Sequence, residues 1–179
     1  MHQDIEEIIF SEADIEKLVN ELGEKLSGEY QNTLPLVICN LKGAVLFMAD
    51  LVKKLTIPIE MDFMATSSYG ASTQSSGNIR ILKDLDTNID GRDVLIVEDV
   101  IDSGLTLRYI RDHLLHRGAS SVRVVALLDK PHRRKVDIAP DYYGATVPDK
   151  FIVGYGLDYA ERYRNLPYIG VLKPEVYNS

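Results

Sequence analysis

Apolar residues near the start of the chain recur first at helical and then at strand intervals. The helical positions follow Ser11, and they are Ile15, Leu18, Val19, Leu22 and Leu26. Ser11 and Asp14 have the spacing of a capping box, with Asp in the place of Glu. Leu36–Cys39 is a short continuous apolar run, which is typical of a buried parallel strand. The pattern therefore predicts a capped helix followed by a buried strand.

The same alternation continues through the middle of the chain. Apolar residues after Gly43 predict a helix that ends before Pro58, and a second helix is predicted over Leu105–His116, with Gly118 as its stop signal. Short apolar or alternating runs predict strands at 59–65, 79–83, 94–97, 122–128 and 151–153. Apolar strands separated by helices predict right-handed crossovers and a mainly parallel sheet. The predicted fold class is α/β.

Length and composition fit one ordinary domain, which we take to be residues 1–179. The chain has 45% hydrophobic and 26% charged residues, enough for a sizeable core. Cys39 is the single cysteine, which excludes an internal disulfide and favours a reducing compartment. A net charge of -7 argues against general nucleic-acid binding, and no apolar run is long enough to span a bilayer. We expect a cytoplasmic protein that binds neither nucleic acid nor membrane.

The segment from Val94 to Thr106 contains the most informative chemistry. A buried strand leads into two acids, then a short turn, then a helix, and ligands in open α/β sheets bind beyond such strand ends. Gly104 permits close backbone approach, while Ser103 and Thr106 supply hydroxyls. Because a helix start also offers unpaired N–H groups and a positive dipole end, the turn suits a phosphate group.

Three acids, Glu98, Asp99 and Asp102, stand beside this expected phosphate. They would repel it unless a cation or hydroxyl groups intervene, so Mg²⁺ and a sugar diol are the simplest partners. Glu98 and Asp99 are neighbours on an extended chain and face opposite sides, so we expect them to have different functions.

Two rival motifs are incomplete. Asp86–Gly91 matches the first half of an EF-hand loop, but Val97 stands at the twelfth position, where that loop needs Glu. The acid-bearing strand could belong to a P-loop ATPase, but the chain has no G-x-x-x-x-G-K-[ST] sequence upstream. We interpret the first as a polar turn and set the second aside.

The run VLIVEDVIDSGLT, residues 94–106, is similar to the phosphoribosyl-pyrophosphate signature of the type I phosphoribosyltransferases. Further segments follow in the order of the hypoxanthine-guanine branch of that family, in its short bacterial form: Leu41–Gly43, Ser68–Gly70, Leu128–Lys130 and Pro148–Tyr159. The resemblance spans nearly the whole chain. It implies a type I phosphoribosyltransferase fold, with a mainly parallel central sheet flanked by helices and a small hood formed by the chain ends.

The resemblance also implies a Mg²⁺-dependent transferase of purine salvage. Its substrates would be an oxopurine and 5-phosphoribosyl 1-pyrophosphate (PRPP), and its products IMP or GMP and pyrophosphate. The residues that would bind the 5′-phosphate and ribose are Glu98, Asp99, Asp102, Ser103, Gly104, Leu105 and Thr106. Glu98, Asp99 and Asp158 would be the metal-linked carboxylates. Leu105 stands where some members have Lys or Arg, which is tolerable if backbone N–H groups bind the phosphate.

Asp102 is the candidate catalytic residue. A purine becomes a competent nucleophile at N9 when its N7 proton is withdrawn as the bond to C1′ forms, and a carboxylate beside the base can accept that proton. Carboxylates also stabilise the oxocarbenium-like charge on the sugar. The alternative is that Asp102 belongs to an ordinary helix cap.

The resemblance assigns the pyrophosphate to Lys42, Gly43 and Arg164, with a non-proline cis peptide in the Leu-Lys-Gly loop. Lys42 could instead be a surface lysine, and the nearby Arg162 leaves the assignment of Arg164 open. The purine would bind at Lys130, Lys150, Phe151, Ile152 and Asp158. Lys130 would donate to the 6-oxo group and Phe151 would stack on the ring, although an aromatic there could also be a core residue.

Ser68 and Tyr69 would close over the substrates as part of a lid formed by residues 67–78, which contain almost nothing to bury. Family members are commonly dimers or tetramers, so a homodimer or homotetramer is expected. Two alternatives remain open: a regulator of this fold that binds nucleotide and RNA without turnover, and a pyrimidine-specific transferase. Residues 132–135 form a basic patch of unknown purpose.

Overall fold

The computed structural model describes residues 1–68 and 79–178. Within these residues the strands are β1 Ile5–Phe10, β2 Leu36–Leu41, β3 Glu60–Ser68, β4 Ile79–Lys83, β5 Asp93–Ile101, β6 Ser121–Asp129, β7 Tyr142–Thr146, β8 Ile152–Val153 and β9 Ile169–Leu172. The helices are α1 Glu12–Glu29, α2 Val45–Val52, α3 Leu105–His116 and α4 Pro174–Tyr177, with 3-10 turns at His2–Asp4 and Pro131–Arg133. None of the described helices is both long and apolar enough to cross a membrane.

The main sheet has six strands in the order β4-β3-β2-β5-β6-β7. All neighbouring strands run parallel except β3 and β4, which pair antiparallel. The predicted mainly parallel sheet and the return of residues 79–83 beside β3 are therefore confirmed.

The central strands are apolar on both sides because both faces of the sheet are covered by helices. On one face, Val37, Leu95 and Val125 pack in the cluster that includes residues of α1 and α2. On the other face, Ile38 and Ile96 pack against residues of α3. Alternate residues of a strand point to opposite faces, so a continuous apolar run is required where both faces are buried.

The predicted helices are present, and one is shorter than expected. The capping box of α1 is formed: the Asp14 amide donates to Ser11 Oγ at 3.2 Å, and the Ser11 amide donates to Asp14 Oδ2 at 2.9 Å. Helix α2 ends at Val52 rather than close to Pro58. After it, amides bond three residues back, Lys54 to Leu51 among them, so the chain tightens into turns before β3.

The two ends of the chain form a second sheet, in the order β1-β9-β8 and antiparallel throughout. Ile152 of β8 pairs with Val171 of β9, while Ile5 of β1 pairs with Leu172 at the other edge of β9. This small sheet is the hood that was predicted from the chain ends. It brings the segment before β8 close to the carboxyl ends of the main-sheet strands, where the candidate site lies.

Strand β5 continues further than the sequence pattern indicated. Pairing with β6 runs from Asp93 to Ile101, so Glu98 and Asp99 lie within the strand and not after it. The turn that follows therefore begins at Asp102, and the two acids are held in extended backbone with side chains on opposite sides.

Candidate active site

The turn between β5 and α3 has a backbone shape that requires glycine. Gly104 has φ +79, in the left-handed region, and it directly precedes the first residue of α3, Leu105. A side chain at position 104 would also meet the Ile138 methyl group at 2.6 Å and Arg134 Cδ at 2.9 Å. The Arg108 amide donates to the Gly104 carbonyl at 2.9 Å, which starts the helix. The first N–H groups of such a helix have no partner within it and are free to bind an anion.

The basic segment 132–135 supports this turn from behind. Arg134 Nη1 donates to the carbonyls of Ile101 and Asp102 at 3.0 and 2.7 Å, and the Lys135 amide donates to the Ser103 carbonyl at 2.9 Å. Arg134 Nη2 also pairs with buried Asp129 at the end of β6. The carbonyl oxygens are bonded on this side, so amides of the turn can face a ligand on the other, although the Leu105 amide makes a long contact of 3.4 Å with Ser103 Oγ.

A first pocket, of about 230 Å³, opens at the front of the turn. Its lining includes Asn40, Glu98, Asp102, Ser103, Gly104 and Thr106. Ser103 and Thr106 contribute hydroxyls to this lining beside the apolar Val100, Ile101 and Leu107, and no lysine or arginine is among its described residues. An anion here would be held by neutral donors.

A second pocket, of about 530 Å³, lies on the other side of β5. Its lining includes Asp99, Asp102, Lys130, Lys150, Phe151, Ile152, Leu157, Asp158 and Tyr177. Glu98 thus lines the first pocket and Asp99 the second, in agreement with the expectation that they face opposite sides. Asp102 lines both pockets, so one carboxylate stands at their junction.

The two acids of β5, Glu98 and Asp99, lie in surroundings that disfavour their negative charges. Burial and the neighbouring Asp99 raise the pKa of Glu98 well above its usual value. Burial is also the main cause that raises the pKa of Asp99, and Asp158 adds to it, while the Val100 amide and Arg164 oppose it. A cation or sugar hydroxyls would relieve this crowding, so the residues fit Mg²⁺, which prefers oxygen ligands.

The three predicted metal-linked acids do not converge on one point. Among the described residues, no group of three or more His, Cys, Asp or Glu side chains could hold a metal ion. Glu98 lines the first pocket, whereas Asp99 and Asp158 line the second. Because Mg²⁺ usually takes only one or two protein carboxylates and completes its shell with water and substrate oxygens, a three-carboxylate cluster is not required.

Lys130 and Lys150 face different partners. Lys130 is 7% exposed, burial lowers its pKa, and its Nζ donates to the Lys150 carbonyl at 2.8 Å. The Lys150 side chain instead pairs with Glu7 in β1. Lys130 therefore presents an ammonium in the second pocket, while Lys150 contributes its backbone.

Phe151 is not a core residue. It is 39% exposed, and its ring stacks on Tyr177 with centroids 5.0 Å apart and planes 21° apart. Tyr159 meets the Phe151 ring edge-on at 5.5 Å. Phe151 and Tyr177 thus form an aromatic wall of the second pocket, and next to it the backbone of Ile152 belongs to β8.

A guanidinium joins Asp102 to the loop before β8. Arg133 Nε donates to Asp102 Oδ1 at 2.7 Å, and Arg133 Nη1 donates to Asp149 Oδ1 at 2.9 Å. Asp102 Oδ1 is therefore engaged with Arg133. The same arginine links the candidate catalytic carboxylate to the segment that leads to Phe151.

The predicted pyrophosphate residues lie on two loops in backbone contact. The peptide bond between Leu41 and Lys42 is cis, as the resemblance implies. A side chain at Gly43 would collide with Asp99, and one at Gly156 would collide with the Gly43 carbonyl. Arg164 Nη1 donates to the Gly156 carbonyl at 2.7 Å, which fixes Arg164 beside this contact.

Arg164 is better placed than Arg162 for an anion. Its Nη2 lies 3.0 Å from Asp158 Oδ1, and its buried Nε has no hydrogen-bond partner within the described part of the chain. Arg162 is exposed and its backbone pairs with Tyr159. Of the lid residues, Ser68 ends β3 opposite Ile79, and Tyr69 lies outside the described residues.

Several site residues gave little signal in the sequence. The basic patch contained Arg133 and Arg134, but its contacts with the turn depend on the chain folding back after β6. Tyr177 reaches Phe151 only because β9 lies beside β8. Glu161 was not singled out from the sequence, although its Oε2 lies 2.8 Å from Lys42 Nζ.

Comparison with known proteins shows the family to which this chain is similar over nearly its whole length. The family model for the phosphoribosyl transferase domain matches residues 7–160. The chain is 61% identical to the hypoxanthine-guanine phosphoribosyltransferase of Bacillus subtilis, covering 100% of this chain and 99% of the relative, and 56% identical to that of Streptococcus thermophilus, with the same coverage. A crystal structure of a hypoxanthine phosphoribosyltransferase from Staphylococcus aureus superimposes with a TM-score of 0.97 at 48% identity, covering 100% of this chain and 97% of that one.

Proposed function

This chain belongs to the phosphoribosyltransferase family, and we propose that it is a purine-salvage enzyme that transfers phosphoribose from PRPP to hypoxanthine, guanine or both. The products are IMP or GMP and pyrophosphate. The observation that best supports this proposal is the position of Asp102. It lines both the pocket at the phosphate-type turn and the pocket with the aromatic wall, where a sugar phosphate and a base would meet.

The 5′-phosphate binds at the turn formed by Asp102, Ser103, Gly104, Leu105 and Thr106. Amide hydrogens and hydroxyls hold it there, because the turn's carbonyls are already bonded to Arg134 and Lys135. Glu98, which lines the same pocket, accepts hydrogen bonds from ribose hydroxyls.

The transfer of phosphoribose forms one bond to C1′ and breaks another. The N9 lone pair forms the bond to C1′, the bond from C1′ to the pyrophosphate oxygen breaks, and its electron pair leaves with pyrophosphate. The N7 proton moves to Asp102, whose Oδ1 is held by Arg133. Asp99 and Asp102 face the positive charge that develops on the sugar.

Mg²⁺ is the cofactor in this proposal, and Asp99 and Asp158 are the carboxylates that would hold it, with Glu98 on the opposite side of β5. When bound, it neutralises negative charge on the pyrophosphate group. Lys42 and Arg164 supply further positive charge, and the missing side chain of Gly43 lets the Asp99 carboxylate pack directly against the Lys42–Gly43 loop.

The purine binds in the second pocket. The Lys130 ammonium donates to the 6-oxo group, which favours oxopurines over adenine. Phe151 stacks on the ring, and the backbones of Lys150 and Ile152 bind its polar edge. Asp158 lines the same pocket and pairs with Arg164, which supports assigning it to both the base and the pyrophosphate. Ser68 and Tyr69, the latter outside the described residues, are assigned to the lid that excludes water.

We extend the proposal to the organisation of the protein. Residues 1–179 act as one catalytic domain, which the pairing of β1 near one end with β9 near the other supports. The chain assembles as a homodimer or homotetramer, which analytical ultracentrifugation would test. A cytoplasmic location agrees with the single, free Cys39 thiol.

A base panel tests the proposed function. The protein is mixed with PRPP and hypoxanthine, guanine, xanthine, adenine or uracil, with and without Mg²⁺, and nucleotide formation is followed. We expect product from hypoxanthine or guanine with Mg²⁺ only, and little from adenine or uracil. A chain that makes no oxopurine nucleotide, or that uses uracil best, contradicts the proposal.

A further inference from the structure

One carboxylate engages both cations that we assign to pyrophosphate. Lys42 Nζ lies 2.8 Å from Glu161 Oε2, and Arg164 Nη2 lies 3.4 Å from Glu161 Oε1. Each oxygen of this carboxylate thus faces a different cation. An oxygen-rich anion that bridges Lys42 and Arg164 would have to use the same positions.

The backbone around Glu161 is shaped to bring its side chain there. Ala160, Glu161 and Tyr163 have φ values of 50, 64 and 75, in the left-handed region that side chains rarely adopt. The Glu161 amide donates to Asp158 Oδ2 at 2.9 Å and closes this turn. Such backbone conformations cost free energy and cluster at ligand-binding sites.

The contact is able to open. The side chains of Lys42 and Glu161 are each 66% exposed, and exposed ion pairs contribute little to stability. The Arg164 side chain is anchored independently through the Gly156 carbonyl and Asp158, so it keeps its position without Glu161.

We propose that Glu161 is an internal place-holder for pyrophosphate, which occupies Lys42 and Arg164 when the site is empty and is displaced when the pyrophosphate group binds. This inference rests on the proposed function, because that function assigns these two cations to pyrophosphate. Glu161 then determines how weakly pyrophosphate is held, and so favours its release after transfer. A ligand that must first displace an internal competitor binds with reduced apparent affinity.

Calorimetric titration with inorganic pyrophosphate tests this inference, with and without Mg²⁺. Glu161→Gln removes the charge but keeps the shape, and we expect it to bind pyrophosphate about two- to fivefold more tightly. Ribose 5-phosphate, which binds at the separate turn of residues 102–106, should bind as it does to the unaltered protein. Glu21→Gln is the matched control, because it makes the same change in net charge on an exposed helical Glu with a Lys17 partner.

Glu161→Gly is a second variant, because glycine suits the left-handed backbone and also removes the carboxylate. Unchanged or weaker pyrophosphate binding in both variants overturns the inference. The inference is also overturned if Glu21→Gln tightens pyrophosphate binding equally, or if Glu161→Gln tightens ribose 5-phosphate binding equally. Either result would indicate a general effect of charge. Failure of the proposed function is distinguishable, because it appears as absence of nucleotide formation by the unaltered protein.

Discussion

Lys130 is a buried cation whose nearest hydrogen-bond acceptor is a backbone carbonyl. It is 7% exposed, and its Nζ donates to the Lys150 carbonyl. An ammonium has three donors, so a second donor remains for a ligand in the pocket. Burying a charged ammonium costs free energy, and burial lowers the pKa of Lys130 for that reason. A pocket ligand that offers a hydrogen-bond acceptor, such as a 6-oxo group, offsets this cost.

Replacing Lys130 should weaken the preference for oxopurines. Lys130→Met keeps most of the aliphatic stem and removes a hydrogen bond to a charged donor, worth about 1.5–3 kcal/mol. We expect the ratio of kcat/KM for hypoxanthine over adenine to fall about tenfold or more. Lys150→Met is the control and should keep that ratio, because its side chain pairs with Glu7. An unchanged ratio in Lys130→Met would remove Lys130 from this role.

The sequence predicted residues whose chemistry is local. The turn from Asp102 to Thr106 was identified because strand, acids, glycine and helix start follow one another directly. Arg133 and Tyr177 were not predicted, because their contacts are not local in the sequence. Arg133 bonds to Asp102, which is 31 positions away, and Tyr177 stacks on Phe151 from a different element. Lys150 was assigned to the purine without knowledge that Glu7 engages its side chain.

At the scale of elements, the basic segment 132–135 supports the turn between β5 and α3. Arg134 connects the carbonyls of Ile101 and Asp102 to the buried carboxylate of Asp129. The Arg134 side chain is 13% exposed and that of Asp129 is 11% exposed. Removing one partner of a buried ion pair leaves the other charge without compensation, which is strongly destabilising.

Arg134→Met should therefore destabilise the protein by about 3–5 kcal/mol, measured as the free energy of unfolding in urea. Ribose 5-phosphate binding should weaken as well, because the turn loses its support. Arg108→Met is the control: it breaks a half-exposed pair with Asp112 and should cost less than about 1 kcal/mol. Similar losses in the two variants would argue against the supporting role.

Sequence periodicity predicted the elements of the main sheet better than those of the hood. The strands β2, β5 and β6 are buried on both faces and so appear as continuous apolar runs. Strand β1 was not predicted, because register shifts interrupt its pairing with β9 and break the two-residue alternation. Strand β7, at the edge of the main sheet, and strand β9 of the hood are short and flanked by turns, so their apolar residues were too few to show a period.

At the scale of the whole molecule, the proposed function gives the hood and the main sheet separate tasks. The turn proposed to bind the sugar phosphate follows β5 of the main sheet, whereas Ile152 belongs to β8 of the hood, with Phe151 just before it. Gly170 of β9 lies between β8 and β1, and a methyl group there would approach Ile5 Cγ2 to 2.6 Å. The hood therefore depends on close packing of the two chain ends.

Gly170→Ala should loosen the hood and affect the purine more than the sugar. Overpacking costs about 1–3 kcal/mol, so we expect a lower thermal midpoint and a raised KM for hypoxanthine, with ribose 5-phosphate binding retained. Gly28→Ala is the control, because a side chain there would meet nothing within 4 Å. Equal weakening of both ligands would show that hood and turn are not separate.

The most direct test of the account is the rate of nucleotide formation by Asp102→Asn. The amide keeps the shape of the side chain but cannot accept the purine proton, so kcat should fall by about 10²–10⁴ while ribose 5-phosphate binds within about threefold of its original affinity. Asp112→Asn, an exposed position on α3, should keep full activity. If Asp102→Asn forms IMP at the original rate, the proton acceptor lies elsewhere and the proposed mechanism is wrong.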